Sequence, residues 1–458
     1  MCRRDHQRRT LNLLPSEFQI RLGGWARFGL GAAFAGLAAC SLPTPDGLEA
    51  ELLEAAAARA PIAEVSGSNA NAVVLRGLTL SPEVRAAAAE VDADADQIRI
   101  ERAAYFSRIG VSLGGGVGDA SEDFGVELRA SQIVTDGGRT TRAVSVADIV
   151  MQISVFAFWD AVDTSIIDAL TAYDEVYTQS RLLGLRREQL TTLQDLERRI
   201  AERVESGASP RSDIVETGIT VSAARFDVVD VELRLGEARD RLAKLTGQLQ
   251  GGAIPTLEAT GCIAETTPHE VQVASLELDK AVLELRDAEA ARLPSVVIEP
   301  LVRRGEGDGG LRGGLDVSVN SDFLQGGALS AAVDAAEDRR AAAAADLAAI
   351  EREETLEAQT RLRETAVTER RTKLLEEQIA LLDEARGLYR NQYLDLGTRS
   401  LNELLDNEEE FYDRQAELLE TRAELRRDRL NCVAREDRLA SIFDLDTYEI
   451  YGLPVSAN

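Results

Sequence analysis

The sequence predicts a mainly helical protein with a small β part, assembled as a duplicated helix–β-hairpin–long helix–helix repeat. Three observations carry this reading. Aromatics make up 5% of the 458 residues while charged residues reach 28%, which suits long helices with narrow apolar seams better than a thick core. Two stretches hold a helical pattern for roughly 70 residues, about 105 Å at 1.5 Å per residue, and each stops at a glycine, Gly207 or Gly397. Apolar residues then recur every seventh position. After Gly207 they are Ile214, Val221, Val228, Leu235, Leu242 and Leu249; after Gly397 they are Leu404, Phe411, Leu418, Leu425, Cys432 and Leu439. A seven-residue apolar repeat is the seam of a coiled coil.

Residues 1–39 have the features of a signal peptide: Arg3, Arg4, Arg8, Arg9, Arg21 and Arg27 precede a small apolar run from Phe28 to Ala39. The run ends in Leu37-Ala38-Ala39-Cys40, which resembles a bacterial lipobox whose cysteine is lipidated and so anchors the chain to a membrane. By the same resemblance, the lack of Asp after Cys40 implies sorting to the outer membrane. Residues 40–80, with Pro43, Pro45, Pro61 and a Ser-Gly-Ser-Asn patch, are expected to form an extended lipidated segment.

The first repeat spans 81–250. Ser81-Pro82-Glu83 supplies a helix start with proline at its first position. Ile109, Val111, Leu113 and Val117 then alternate with glycines and Ser112. After a turn from Asp119 to Asp123, Phe124, Val126, Leu128 and Ala130 alternate with Gly125, Glu127, Arg129 and Ser131. Such period-two runs are strands with one apolar and one polar face. A long helix from Gly137 follows, and Ser209-Pro210 restarts a helix beyond Gly207. A linker, 251–267, contains Cys262. The second repeat, 268–445, runs through the same order. It has a helix to Leu293, strands around Val296–Val302 and Leu311–Val319, the Phe323-Leu324-Gln325-Gly326-Gly327 junction, and a second long helix to Gly397. Equivalent positions are offset by roughly 190 residues, which marks an internal duplication. Ser400 and Glu403 read as a capping box restarting the last helix, and 446–458 are a C-terminal tail.

Four strands cannot close a sheet, and open edges leave unpaired backbone groups that lipid cannot satisfy. Three chains would supply about 12 strands, within the range of membrane barrels. The expected assembly is therefore a trimeric α-helical barrel plus a 12-stranded β-barrel. The long helices, too polar for a bilayer, project into water.

On these residues the chain resembles the TolC-like outer membrane efflux proteins over roughly Ser81 to Leu445. The resemblance rests on Leu396-Gly397-Thr398-Arg399-Ser400-Leu401-Asn402-Glu403-Leu404-Leu405-Asp406, on Phe411-Tyr412 and Gln415, and on the Phe323–Gly327 and Arg292-Leu293-Pro294 segments. It implies a homotrimeric outer-membrane duct with its helices in the periplasm. A periplasmic adaptor protein and an inner-membrane pump would be its partners, and it would serve efflux or type I secretion. It also implies that Gly207 and Gly397 form adaptor-docking tips. Glu403 and Asp406 would line the closed aperture, with Arg399 in the latch. The sequence departs from the family pattern in carrying Glu at the first acidic position and Leu394 where a tyrosine is frequent.

The residues themselves constrain the alternatives. Carboxylates at i and i+3 share a helix face, so Glu403 and Asp406 around a three-fold axis would concentrate negative potential. The bland reading is a cap and a surface acid, and Asp213 and Glu216 repeat the spacing in the first half. The net charge of −28 argues against a nucleic-acid partner, because phosphate contacts need clustered Lys and Arg. With only His6 and His269, no catalytic, cofactor or metal site is expected. Gly114-Gly115-Gly116-Val117-Gly118 lacks the lysine of a phosphate loop. Cys262 and Cys432 could pair in an oxidising compartment, or Cys432 could be a small buried hydrophobe on the seam. The competing function is a periplasmic coiled-coil adaptor or scaffold without a pore, and the duplicated amphipathic hairpins weigh against it.

Overall fold

Two helices of 67 residues dominate the architecture, α4 (Arg139–Glu205) and α7 (Ala328–Leu394). The computed structural model describes residues 47–62, 67–114, 125–248, 250–258, 262, 267–305, 311–321 and 326–456. The signal peptide, Cys40, Leu249, Val117, Phe124, the 119–123 turn and Phe323–Gln325 lie outside the described residues. Residues 45–458 form one compact unit.

The first half continues with α3 (Pro82–Arg102), strands β2 (Arg108–Gly114) and β3 (Gly125–Thr135), then α4 and α5 (Arg211–Thr246). The second half has α6 (His269–Ala290), β4 (Ser295–Gly305), β5 (Leu311–Asn320), α7 and α8 (Leu401–Arg435). Both long helices start after a pair of left-handed glycines, Gly137-Gly138 and Gly326-Gly327. The strand must turn sharply there. At Gly137 a Cβ would also press to 3.0 Å on the Leu293 side chain.

The seams are used within the chain. Val221, Leu235 and Leu242 of α5 are buried against α4; Leu404, Phe411 and Cys432 of α8 are buried where α8 packs on α7 and α4. Near the tips the helices pack in the order α5–α4–α8–α7, and towards the sheet in the order α3–α4–α6–α7. The antiparallel sheet runs β2-β3-β4-β5 with both outer edges open. Its register places Val111, Leu128 and Val302 in one row, and Glu127 and Arg303 in the next row on the opposite face. The two-residue period thus survives pairing as one apolar and one polar face.

Three expectations are corrected. Residues 40–80 are not extended throughout: α1 (Leu48–Ala57) and α2 (Ala70–Leu80) occupy most of the described part. Asn69 caps α2 through the Ala72 N–H at 2.9 Å, and Val73, Val74 and Leu78 are fully buried. Gly77 lets α2 lie against Ala169 of α4, so packing overrides the proline-rich composition. The C-terminal tail is also ordered. After a short helix α9 (Leu439–Ile442), strands β6 (Tyr448–Ile450) and β7 (Leu453–Pro454) form a hairpin that pairs in parallel with β1 (Ala60–Pro61). Trp159 Nε1 donates to the Pro454 carbonyl at 3.2 Å, and Ile450, Leu453 and Val455 are buried. Finally, α4 is not polar throughout: one 18-residue window is apolar enough by composition to cross a membrane. A third of that window is buried within the chain, and α4 as a whole packs against α2, α3 and α6.

Cys262 and Cys432 form a disulfide across 170 residues, tying the inter-repeat linker to α8. The linker is seated further by Asp174, which is buried and accepts from the Ile254 N–H at 3.1 Å and from Arg426 Nε at 2.7 Å.

Candidate functional site

Both helix hairpins end in a glycine of left-handed conformation, Gly207 at φ 75° and Gly397 at φ 65°. Such a residue ends a helix by letting the chain fold back onto the last carbonyls: Ala208 N–H donates to Arg203 O at 2.8 Å, and Thr398 N–H to Gln392 O at 3.0 Å. The restart after Gly397 is a complete capping box. Ser400 Oγ accepts the Glu403 N–H at 3.4 Å, and Glu403 Oε2 accepts the Ser400 N–H at 3.1 Å.

The two tips are fastened to each other. Arg203, one turn before Gly207, donates to the Leu394 carbonyl at 2.5 Å and lies over the Tyr393 ring at 5.4 Å. Tyr393 OH donates to Asp213 Oδ2 at 2.8 Å. Below them a separate apolar cluster packs Leu193, Leu196, Ile200, Val221, Leu401 and Leu404.

The predicted aperture residues divide. Arg399 and Glu403 are neighbours, with Nε to Oε2 at 3.7 Å, and the Arg399 guanidinium stacks 3.7 Å above the Tyr389 ring. Glu403 is committed to its cap: the Ser400 hydroxyl and N–H, with Arg399 adding, hold its carboxyl below the usual range. Asp406 is exposed and shares an acidic groove with Glu409, Glu410 and Asp413. Burial, then Asp413, Asp406 and Asp227 of α5, raise the Glu409 pKa. The acidic band therefore extends from Asp406 along α8, whereas the tie between the tips uses Tyr393 and Asp213.

Sequence reasoning missed the strongest polar feature here. Glu408 is completely buried, accepting from Arg386 Nε at 2.7 Å and Arg390 Nη2 at 2.5 Å, both on α7. Arg386 stacks 4.2 Å from the Phe411 ring and donates to Tyr412 OH at 3.2 Å; that hydroxyl meets Thr192 Oγ1 of α4 at 3.0 Å. The signal was present: Glu408 stands four residues after Leu404 on the apolar stripe, and the two arginines are four apart on the facing helix. Among the described residues no group of three His, Cys, Asp or Glu side chains is arranged to hold a metal ion.

The model of the family described as outer membrane efflux protein matches residues 76–248, from α2 through α5. Over this segment the chain is similar to outer membrane efflux proteins. Its fold is shared with solved outer membrane proteins. The Campylobacter jejuni CmeC outer membrane channel superimposes with a TM-score of 0.73 at 13% identity, covering 85% of this chain and 87% of that one. VceC, an outer membrane protein of Vibrio cholerae, gives 0.71 at 15% identity, covering 80% and 95%. The open state of the Neisseria gonorrhoeae MtrE outer membrane channel gives 0.67 at 18% identity, covering 86% and 97%. No curated protein sequence matches the chain.

Proposed function

We propose that the chain is one third of a homotrimeric outer-membrane exit duct, a passive channel-tunnel for efflux or type I secretion. The observation that carries this is the pair of unfinished edges. The sheet has one apolar and one polar face and stops at β2 and β5 with both ladders open. The helical layer stops at α5 and α7, and both outer helices expose apolar stripes. On α5 these are Val215, Ile219, Phe226, Val229 and Leu233, with Phe226 72% exposed; on α7 they are Val367, Leu374, Leu381 and Leu388. Both stripes begin within two turns of the glycine tips and run away from them, so they stand at matching heights. An α5 edge set against the α7 edge of the next copy, with β2 against its β5, buries both stripes and pairs both ladders. Three such steps close the ring.

The polar sheet face then lines the lumen with Glu127 bonded to Arg129 at 2.8 Å, and the apolar face meets outer membrane lipid. Lipidation of Cys40 fits the start of the described chain. Glu49 in the first turn of α1 pairs with Arg99, three residues before α3 ends and the chain enters the sheet. The glycine tips, most distant from the sheet along α4 and α7, would dock a periplasmic adaptor protein and through it an inner-membrane pump. The Asp406 band gives the aperture its cation preference.

Purified protein in planar bilayers tests this. The expected result is discrete, cation-favouring conductance that rises when Tyr393→Phe removes the bond to Asp213. Folded trimer that stays silent would favour a scaffold without a pore.

A further inference from the structure

Where the inter-repeat linker enters α6, four helices meet around a cavity of about 190 Å³. Asp160 and Asp163 face it from α4, Glu270 from the first turn of α6, Glu354 from α7, and Asp437 from the turn that ends α8. Against these carboxyls stand Arg435, which pairs with Glu354 at 2.5 Å and Glu357 at 3.4 Å, and His269. His269 is packed against the Phe156 and Trp159 rings at 5.2 and 5.8 Å. Behind Asp437 lies a further carboxylate, Asp446. Two features set this cluster apart from a solvated acidic face. Glu354 and Glu270 stand together at the cavity, so each disfavours charge on the other. Asp163 has no hydrogen-bonding or ion-pair partner among the described residues, and the charges that act on it, Asp437 and Asp160, are both negative.

We propose that this cluster is a proton-operated clasp at the α4–α6–α7–α8 junction, tightest in acid and loosened as protons leave it. The tendency to keep protons follows the geometry. Burial, with Asp437 and Asp160, pushes the Asp163 carboxyl up to about 8. Burial raises Asp437, with His269 opposing and Asp446 reinforcing. Burial and the adjoining Glu270 raise Glu354 against the pull of Arg435. Asp437 is also a non-glycine residue at φ 54°, following the carbonyl end of α8. That backbone is strained, and the negative end of the helix dipole adds to the repulsion once Asp163 ionises. The Cys262–Cys432 disulfide holds α8 just upstream. The movement is therefore confined to the 434–438 turn and the first turn of α6.

The clasp stands or falls without the channel reading, because its test needs only folded full-length protein in detergent. Infrared spectra of the protein should show protonated carboxyl at pH 7 that disappears above pH 8. Asp163→Asn should remove that signal. Hydrogen exchange of residues 433–438, corrected for the chemical rate, should quicken roughly tenfold per pH unit between about pH 5 and 8. It should then level off, and Asp163→Asn should flatten it. An unchanged carboxyl band in Asp163→Asn, or the same exchange slope in wild type and Asp163→Asn, would overturn the proposal. If Asp163→Asn disturbs folding, Asp437→Asn gives the same discrimination from the other side of the cavity, and an unaltered slope there also rejects it.

Discussion

Removing the Glu408 carboxylate should loosen the end of α8 nearest the Gly397 tip selectively. Glu408 is fully buried and is held by Arg386 Nε at 2.7 Å and Arg390 Nη2 at 2.5 Å. Breaking a buried pair from one side costs ~3–5 kcal/mol, mostly through the charge left behind. The Arg390 side chain is 38% exposed and can turn to water, while Arg386, 16% exposed, keeps Tyr412 and the Phe411 ring. The expectation for Glu408→Ala is therefore the low end, ~3 kcal/mol, or roughly a 150-fold faster local exchange at ~1.4 kcal/mol per tenfold. Hydrogen exchange read by mass spectrometry on peptides covering 401–412 measures this directly, because local opening sets the rate. Glu408→Gln retains volume and an acceptor and should lose only ~1–2 kcal/mol. Replacing the pair together, Arg386→Met with Glu408→Leu, should recover most of the loss because no charge is then stranded. Wild-type exchange in Glu408→Ala would refute the reasoning.

Three further outcomes follow from other contacts. Replacing Cys262 and Cys432 by alanine frees a loop of 170 residues, and chain entropy sets the loss at up to ~5 kcal/mol, visible as a lower denaturant midpoint that reductant reproduces in wild type. Gly251→Ala would bring a Cβ to 2.4 Å from the Tyr173 carbonyl and 2.5 Å from Val176 Cβ, so the linker must shift at ~1–3 kcal/mol. Gly236→Ala, with nothing within 4 Å, should instead stabilise α5 by ~0.5–1 kcal/mol; thermal midpoints separate the two. Arg371 and Arg414, each bonded to Glu417 at 2.6 Å, lower its pKa. A depressed carboxylate stabilises above its unfolded pKa and loses that contribution as pH falls through the folded value. Glu417→Gln should thus cost roughly 0.5–1 kcal/mol at pH 7 and progressively less below about pH 4 in paired denaturation curves.

Much of the fold was legible because its signals are local and periodic. The heptad stripes of α5 and α8, the glycine stops, the Ser400–Glu403 box and the alternating strands each depend on residues within a few positions of one another. The two 67-residue helices follow from them. The candidate site was legible only in part, for the same reason. Glu403 and Arg399 lie close in sequence and meet in space, but the tie between the tips joins Tyr393 to Asp213 across 180 residues.

By itself the sequence determined which stretches are helix or strand, where they stop, and which face of each is apolar. Only the tertiary structure decided which apolar faces are covered inside one chain and which stay exposed on it. It buries the α5 and α8 seams and leaves Phe226 and Leu381 outside. It also decided the fate of segments with no period to read. The α2 helix and the β6–β7 hairpin take their order from the surface they cover, and Cys262 reaches Cys432 only because the linker crosses α4 at Asp174. The charge pairing of buried Glu408 and the retention of a proton at Asp163 depend on what the fold brings alongside, and spacing along a chain does not encode that.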